Sequence, residues 1–407
     1  MTSLTRTFRQ WWQPPRKAGE REEDRSVTFL ELFYDLVYVV LIAQVARSLA
    51  EHVSLEGVGG FAFLFLAVWW AWFNGASYHD IHGNNDIRTR VFTFLQMLTV
   101  IAMAIFARDA LGETSVGFAV SYAAFQLILT YLWWRTGVHD PDHRPLSGPY
   151  AAGFLLTTIL FVASVFVPPP GRLYIWGGAM LISLVQPLYI FAIGKRNPRF
   201  RSQLEIILNV SPSLVERFGL FSIIVLGEVI AGVVGGVLEH QPADWVVGAT
   251  AALGALVAVS LWWIYFDFVS HHNPHPTILA VSGWFYAHLP LTMGIAAAGA
   301  GIFRVVERAG APIGDEVRWL LVGAVALVLV FIAGLMRTIQ VPDPLKGAYR
   351  TGGIITLISG AVIGFLGLTS LEAVPLLILM VLLMLTPVFY GIKVWVRQFE
   401  GKNVSQI

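Results

Sequence analysis

The sequence predicts an all-α polytopic membrane protein with about twelve transmembrane helices in two parallel six-helix repeats. Three observations carry that expectation. The 407-residue chain is 56% hydrophobic and only 13% charged, about half the charge of a typical soluble domain. Its apolar stretches recur at lengths near the 20 or so residues that cross a bilayer as a helix. Several short motifs also return in the same order in the second half of the chain.

Taken in order, residues 1–26 form a basic arm. Leu4, Phe8, Trp11 and Trp12 fall at roughly helical spacing among Arg6, Arg9, Arg16 and Lys17. That pattern suits either a short helix lying on an anionic membrane face, ended by Pro14 and Pro15, or a disordered arm with incidental aromatics. The first apolar segment is too long for a signal-peptide core and has no small-residue cleavage site, so it is expected to remain as a membrane span. Spans are expected at about 28–50, 57–76, 89–108, 115–135, 149–168, 173–193, 214–238, 244–268, 278–303, 316–337, 350–370 and 373–396. Domain organisation follows: a first repeat over 27–194, a basic linker over 195–212 with Lys195, Arg196, Arg199 and Arg201, a second repeat over 213–397, and a tail over 398–407.

Orientation follows from lysine and arginine, which concentrate in cytoplasmic loops. With the N-terminus inside, the outside segments hold only Arg47, Arg108, Arg172, Arg304, Arg308 and Arg318, while the arm, the linker and the remaining inside loops hold most of the rest. An even span count then places both termini in the cytoplasm, and the location expected is a bacterial inner membrane.

The repeat rests on four correspondences. Glu31-x-Phe33 matches Glu216-x-Phe218, and the run from Trp69 to Asn74 matches that from Trp262 to Asp267. Leu98-Thr99 matches Leu291-Thr292, and Gln186-Pro187-Leu188 matches Thr386-Pro387-Val388. Six is even, so the halves share one orientation and relate by an axis along the membrane normal.

Composition excludes some chemistry. The chain has no cysteine and a net charge of +1, which removes thiolate catalysis, disulfides and cysteine metal sites and argues against nucleic acid. No phosphate loop, dinucleotide fingerprint, serine elbow or zincin helix is present, and no cofactor is implied. Membrane lipids, a small cation or solute and a second copy of the chain are the partners expected. The 14 tryptophans gather near span ends and in Trp-Trp pairs, where anchoring and packing explain them.

The candidate functional residues are charges inside apolar spans, because an ionised side chain in hydrocarbon costs several kcal/mol. Glu31 and Glu216 each follow a hydroxyl residue by three positions, Thr28-x-x-Glu31 and Ser213-x-x-Glu216, so each reads either as a capping box or as a transport group. Asp35 lies one turn deeper than Glu31, about 6 Å along the axis and on the same face. Glu228 lies twelve residues beyond Glu216, about 18 Å along, amid isoleucine, valine and leucine. A lone carboxyl there is expected to be neutral or paired. Arg217 is the candidate partner for Asp35, and a buried structural ion pair is the bland alternative. Asp267, matching Asn74, either joins a polar path or reaches headgroup water. His288, near Pro290, either relays protons or packs as a satisfied histidine. Gln44, Gln96, Gln126 and Gln186 line a path or hold helices together. His79-x-x-His82 aligns with His272-x-x-His275, with His139, His143 and His271 on the same face; with Asp80 or Asp86 they are weak metal candidates against ordinary solvated loop histidines.

The chain also resembles the bacterial low temperature requirement A family. The carriers are the run Leu30 to Val39 (LELFYDLVYV), then Glu216-Arg217-Phe218-Gly219-Leu220-Phe221 with Leu226-Gly227-Glu228, then Trp262 to Asp267, then Tyr286-Ala287-His288. The similarity covers most of residues 27–397 and implies an inner-membrane protein linked by name to growth in the cold. The loop after span two, with His79 and His82, departs from the family's pattern, so the resemblance gives those histidines no role. The six-plus-six layout with an acid early in span one is also similar to organellar potassium and proton channels of the transmembrane 175 type, at the level of fold. The residues together point first to a transporter or channel for a cation, proton or small solute, using buried carboxylates at the repeat interface. The alternatives are an enzyme acting on a lipid or isoprenoid carrier, and a non-catalytic membrane scaffold.

Overall fold

The computed structural model describes residues 13–17, 20, 25–194, 198–240 and 244–404. It is 82% helical and has no strand among the described residues, apart from one isolated bridge between Pro274 and Ile339. The α-helices are α1 (Phe29–Glu51), α2 (Leu55–His82), α3 (Ile87–Phe106), α4 (Ser115–His139), α5 (Arg144–Ser164), α6 (Gly171–Gly194), α7 (Pro198–Leu208), α8 (Pro212–Glu239), α9 (Trp245–Phe268), α10 (Ile278–Glu307), α11 (Asp315–Leu335), α12 (Lys346–Leu366) and α13 (Ala373–Val404). Twelve of them, all but α7, are long and apolar enough to cross a membrane. The protein is a multi-span helical membrane protein.

The helix starts follow local chemistry. Asp86 accepts from the Thr89 amide at 3.0 Å and opens α3; Asp244 accepts from Val247 at 2.9 Å and opens α9; Thr277 accepts from Ala280 at 3.3 Å and opens α10. Each satisfies one of the amides that a helix leaves unpaired at its N-terminus. Two elements differ from expectation. Helix α2 runs on to His82, beyond the predicted end near 76, because nothing stops it before Gly83 and the Asp86 cap. The stretch expected to be a basic linker contains α7, which buries Phe200 and Leu204 one turn apart. The basic arm's first twelve residues, with the predicted surface helix, lie outside the described residues. Residues 13–17 run against the end of α2: Arg16 donates to the Ile81 carbonyl at 3.2 Å and to that of Asp80. The Asn84 amide reaches the Pro14 carbonyl at 2.7 Å. A guanidinium on the last carbonyls of a helix satisfies groups that the helix itself cannot.

The chain divides into two compact units, residues 1–45 with 63–217, and residues 46–62 with 218–407. These are not the two sequence halves, since each unit takes part of α1, of α2 and of α8. In the first unit α3 packs on α4, α4 on α5, α5 on α6, and α7 against α5 and α6. Its aromatic core joins Tyr122 to Phe161 at 4.4 Å between ring centroids and Phe161 to Trp176 at 5.5 Å. Trp176 donates to the Ser164 hydroxyl at 2.8 Å, which satisfies its only polar atom.

In the second unit α10 packs on α11, α11 on α12, and α9 on α13. Helix α10 is buried along Ala296, Ala298, Gly299, Ala300 and Gly301. Small residues let helix backbones touch where lipid gives no hydrophobic drive between helices. A Cβ on Gly232 would meet the Gly299 carbonyl oxygen at 2.4 Å, and one on Gly299 would meet the Glu228 carbonyl oxygen at 2.7 Å. Helices α8 and α10 therefore meet backbone to backbone.

Gly232→Ala is expected to force these helices apart and to lower stability by about 1–3 kcal/mol. Gly248, with open space around it, is the control. Thermal unfolding in detergent checks this: a lower midpoint for Gly232→Ala and none for Gly248→Ala is the expected result.

Candidate functional site

A cluster of four charged side chains in the first unit is built around α1. Thr28 is the N-cap. Its hydroxyl accepts from the Glu31 amide at 3.3 Å, and its own amide donates to Glu31 Oε2 at 2.9 Å. The expected capping box is formed. Glu31 has a further role, because its Oε1 pairs with Arg25 and lies 3.8 Å from Arg217 Nη1.

Asp35 lies one turn further along α1 and is fully buried. Arg217, on the second turn of α8, donates to it twice: Nη2 to Oδ1 at 2.5 Å and Nε to Oδ2 at 3.2 Å. Trp72 on α2 donates its indole N–H to Oδ1 at 2.8 Å. Arg217 also donates to the Ala76 carbonyl at 3.4 Å and stands 5.6 Å from the centre of the Tyr34 ring. The two-point geometry is the strong form of the arginine–carboxylate pair, and the aromatic face adds a cation–π contact. Two guanidiniums face two carboxylates, so the cluster is balanced in charge. Capping thus explains Glu31 only in part, and Asp35 is one member of a buried ion pair.

Sequence reasoning found Asp35, Glu31 and Arg217 and missed Trp72, Arg25 and Tyr34. Trp72 sits in a run read as packing, and nothing in its spacing marks an indole aimed at a carboxylate one helix away. Tyr34 fits because α2 carries Gly75 opposite it, where a Cβ would meet the phenol oxygen at 2.0 Å.

The expectation for Glu216 is corrected. No capping box forms with Ser213, because Ser211 is the cap: its hydroxyl accepts from the Leu214 amide at 2.9 Å. Pro212 takes the first helical position, where its missing N–H costs nothing. Ser213 turns instead to Asp80, whose Oδ1 accepts from Ser211 at 2.6 Å and from Ser213 at 2.8 Å. A carboxylate at the start of α8 also suits the helix dipole. Glu216 is exposed.

The remaining acids and histidines separate by surroundings. Glu228, on α8 in the second unit, is half-buried and has no side-chain hydrogen bond or ion pair among the described residues. Asp267 is exposed and accepts from the Trp263 indole at 2.8 Å. Asn74 is buried and bonds back to the Trp70 carbonyl at 2.8 Å. His288 is buried with both ring nitrogens engaged: Nδ1 donates to the Trp284 carbonyl at 2.7 Å and Nε2 meets the Tyr265 hydroxyl at 3.0 Å. Both side-chain nitrogens are therefore satisfied, as expected of a packing histidine.

His79 and His82 are buried rather than solvated. His79 Nε2 meets the Thr93 hydroxyl at 3.1 Å, and His82 Nδ1 donates to the Arg16 carbonyl at 2.9 Å, with its ring 4.8 Å from that of His143. His275 is exposed. His272 Nε2 meets the Tyr349 hydroxyl at 3.1 Å. Among the described residues no three His, Cys, Asp or Glu side chains come together in a group able to hold a metal. Asp80 serves the start of α8 and Asp86 caps α3.

Arg217→Leu leaves Asp35 buried with its main partner gone and is expected to destabilise by about 3–5 kcal/mol. Asp35→Leu combined with Arg217→Leu is expected to lose much less than the two single changes together. Unfolding midpoints of the three variants in detergent check this, and additive losses would count against the pair. In the loop before α10, burial pushes His272 below its ordinary value of 6.5, with His271 adding to the effect. The unfolded chain then binds a proton that the folded one refuses, so stability present above pH 6.5 falls as the pH drops below it. His272→Gln is expected to flatten that acid limb in a melting-temperature profile.

Residues 26–392, a range that takes in Glu31, Asp35, Arg217 and Glu228, match the family model described as bacterial low temperature requirement A protein. A protein of Rhizobium meliloti (strain 1021), described only as uncharacterized, is 28% identical over 290 residues, which is 68% of either chain. With nearly its whole helical part matched, the chain belongs to the bacterial low temperature requirement A family.

Proposed function

We propose that this protein is a transporter or channel of the bacterial inner membrane, both termini cytoplasmic, that moves a cation, a proton or a small polar solute. One observation carries the proposal: Glu228 is a carboxyl within an apolar span with no side-chain partner among the described residues. The other acids are placed differently. Glu31 and Asp35 are held by arginines, Asp267 accepts from the Trp263 indole, and Glu216 is exposed near the start of α8, whereas Glu228 lies midway along it. An unpartnered acid in a span is costly unless it takes and releases a cation or proton, or faces a polar path. Glu228 is the group assigned to that exchange. Asp35 and Arg217 are positioning residues, which hold α1, α2 and the start of α8 in one arrangement. The orientation rests on the lysine and arginine distribution.

The test is flux into proteoliposomes under a panel of cation gradients, with an internal pH dye. Glu228→Gln, shown to keep the wild-type unfolding midpoint, is expected to lose at least about tenfold of the wild-type flux, on the scale of one charge-assisted contact. An unchanged flux would remove Glu228 from the path. Folded wild-type protein that passes nothing under any gradient would overturn the transport proposal.

A further inference from the structure

A pocket of about 490 Å³ opens in the second unit, lined by the end of α1, the end of α10 and the start of α11. Its volume lies in the range of small-molecule sites, roughly 300–1,000 Å³. On the α10 side stand Arg304 and Arg308, one turn apart and on the same face. Arg304 gives Nη1 to Glu307 at 2.6 Å, but its Nε is buried without a hydrogen-bond partner among the described residues. Arg308 is exposed and its side chain enters no hydrogen bond or ion pair among them.

The α11 side has a different character. Gly314 is the N-cap and offers no side chain, so the first-turn amides lack a side-chain acceptor and remain available to a ligand. Asp315 is already paired with Arg318 at 2.8 Å. Glu316 is exposed and has no side-chain partner among the described residues. Val53, Val305, Ile313 and Val317 supply apolar surface to the same pocket.

His52 and Glu51 also line the pocket, and Glu51 is paired with Arg47 at 3.4 Å. The lining is therefore two-signed, with Arg308 and Glu316 left over after the internal pairs are made. A singly charged ligand leaves one of them unmatched, whereas a small zwitterion matches both. We propose that this pocket binds a zwitterion of the amino-acid class with an aliphatic side chain. The carboxylate lies on Arg304, Arg308 and the first-turn amides of α11, the ammonium on Glu316, and the side chain against the valines. The site is separate from Glu228 and stands whether or not the protein carries flux, because the test reads binding.

The experiment is calorimetric titration of the full-length protein in detergent with leucine, and with the same skeleton lacking one charge, 4-methylpentanoate or 3-methylbutylamine. Leucine is expected to bind, and each analogue to bind at least about tenfold more weakly, the scale of one lost charge-assisted contact. Arg308→Gln and Glu316→Gln, both surface changes, are expected to weaken leucine by a similar factor while the unfolding midpoint stays put. Equal binding of 4-methylpentanoate would make this an anion site and overturn the assignment. So would leucine affinity unchanged in both variants, or no leucine heat at millimolar concentration.

Discussion

The cluster around α1 depends on one constraint: a charge within an apolar span must find its opposite. Asp35 and Arg217 meet it with two direct hydrogen bonds, an indole donor and the nearby Glu31 and Arg25. A buried ion pair is weak evidence for stability, since desolvation offsets most of its attraction. Its geometry is nevertheless restrictive. Five groups on α1, α2, α8 and the arm before α1 must be placed within a few ångströms, and a slip of one residue along any of these helices would turn a charge away from its partner. The cluster therefore selects one register among the many that apolar helices in lipid would accept almost equally.

The acids illustrate how the same side chain reaches different ends through its neighbours. Glu31 sits where a helix begins, so free amides and a capping threonine are at hand. One turn later Asp35 has no free amides within reach and needs a cation and an indole. Glu228 has neither a helix end nor a cation. That contrast is why Glu228, rather than the better-connected Asp35, is assigned the exchange of cargo: a group already holding two arginine donors has little capacity left to bind and release anything else.

How much of this was legible in the sequence depends on whether the determinant was local. The spans were, because length and hydropathy are local quantities, and so was the Thr28 cap. The Asp35–Arg217 pair was legible for a different reason. Few unlike charges occur deep in spans, so the partners nearly select themselves. The second capping box failed on one residue, because Pro212 prefers the first helical position and moves the cap to Ser211. Trp72 and Gly75 were hidden because only the approach of α2 to α1 gives them meaning. The buried state of His79 and His82 depended on α2 continuing past its apolar stretch, which hydropathy does not report.

Glu228 differs from the ion pair in what holds it. Gly232 follows it by one turn and Gly236 by two, on one stripe of α8. Along this stripe α10 comes into backbone contact, with Gly299 against the Glu228 carbonyl. The main chain at Glu228 is thus fixed by close packing, whereas its carboxyl has no partner among the described residues. A rigid backbone under an unpartnered side chain lets a group change its charge without dragging the fold with it. In the Asp35 cluster the side chains are themselves the packing, so neutralising one of them disturbs the helices it joins. Charge exchange and structural charge are therefore separable in this chain: the first is expected where glycines hold the helices, the second where arginines do.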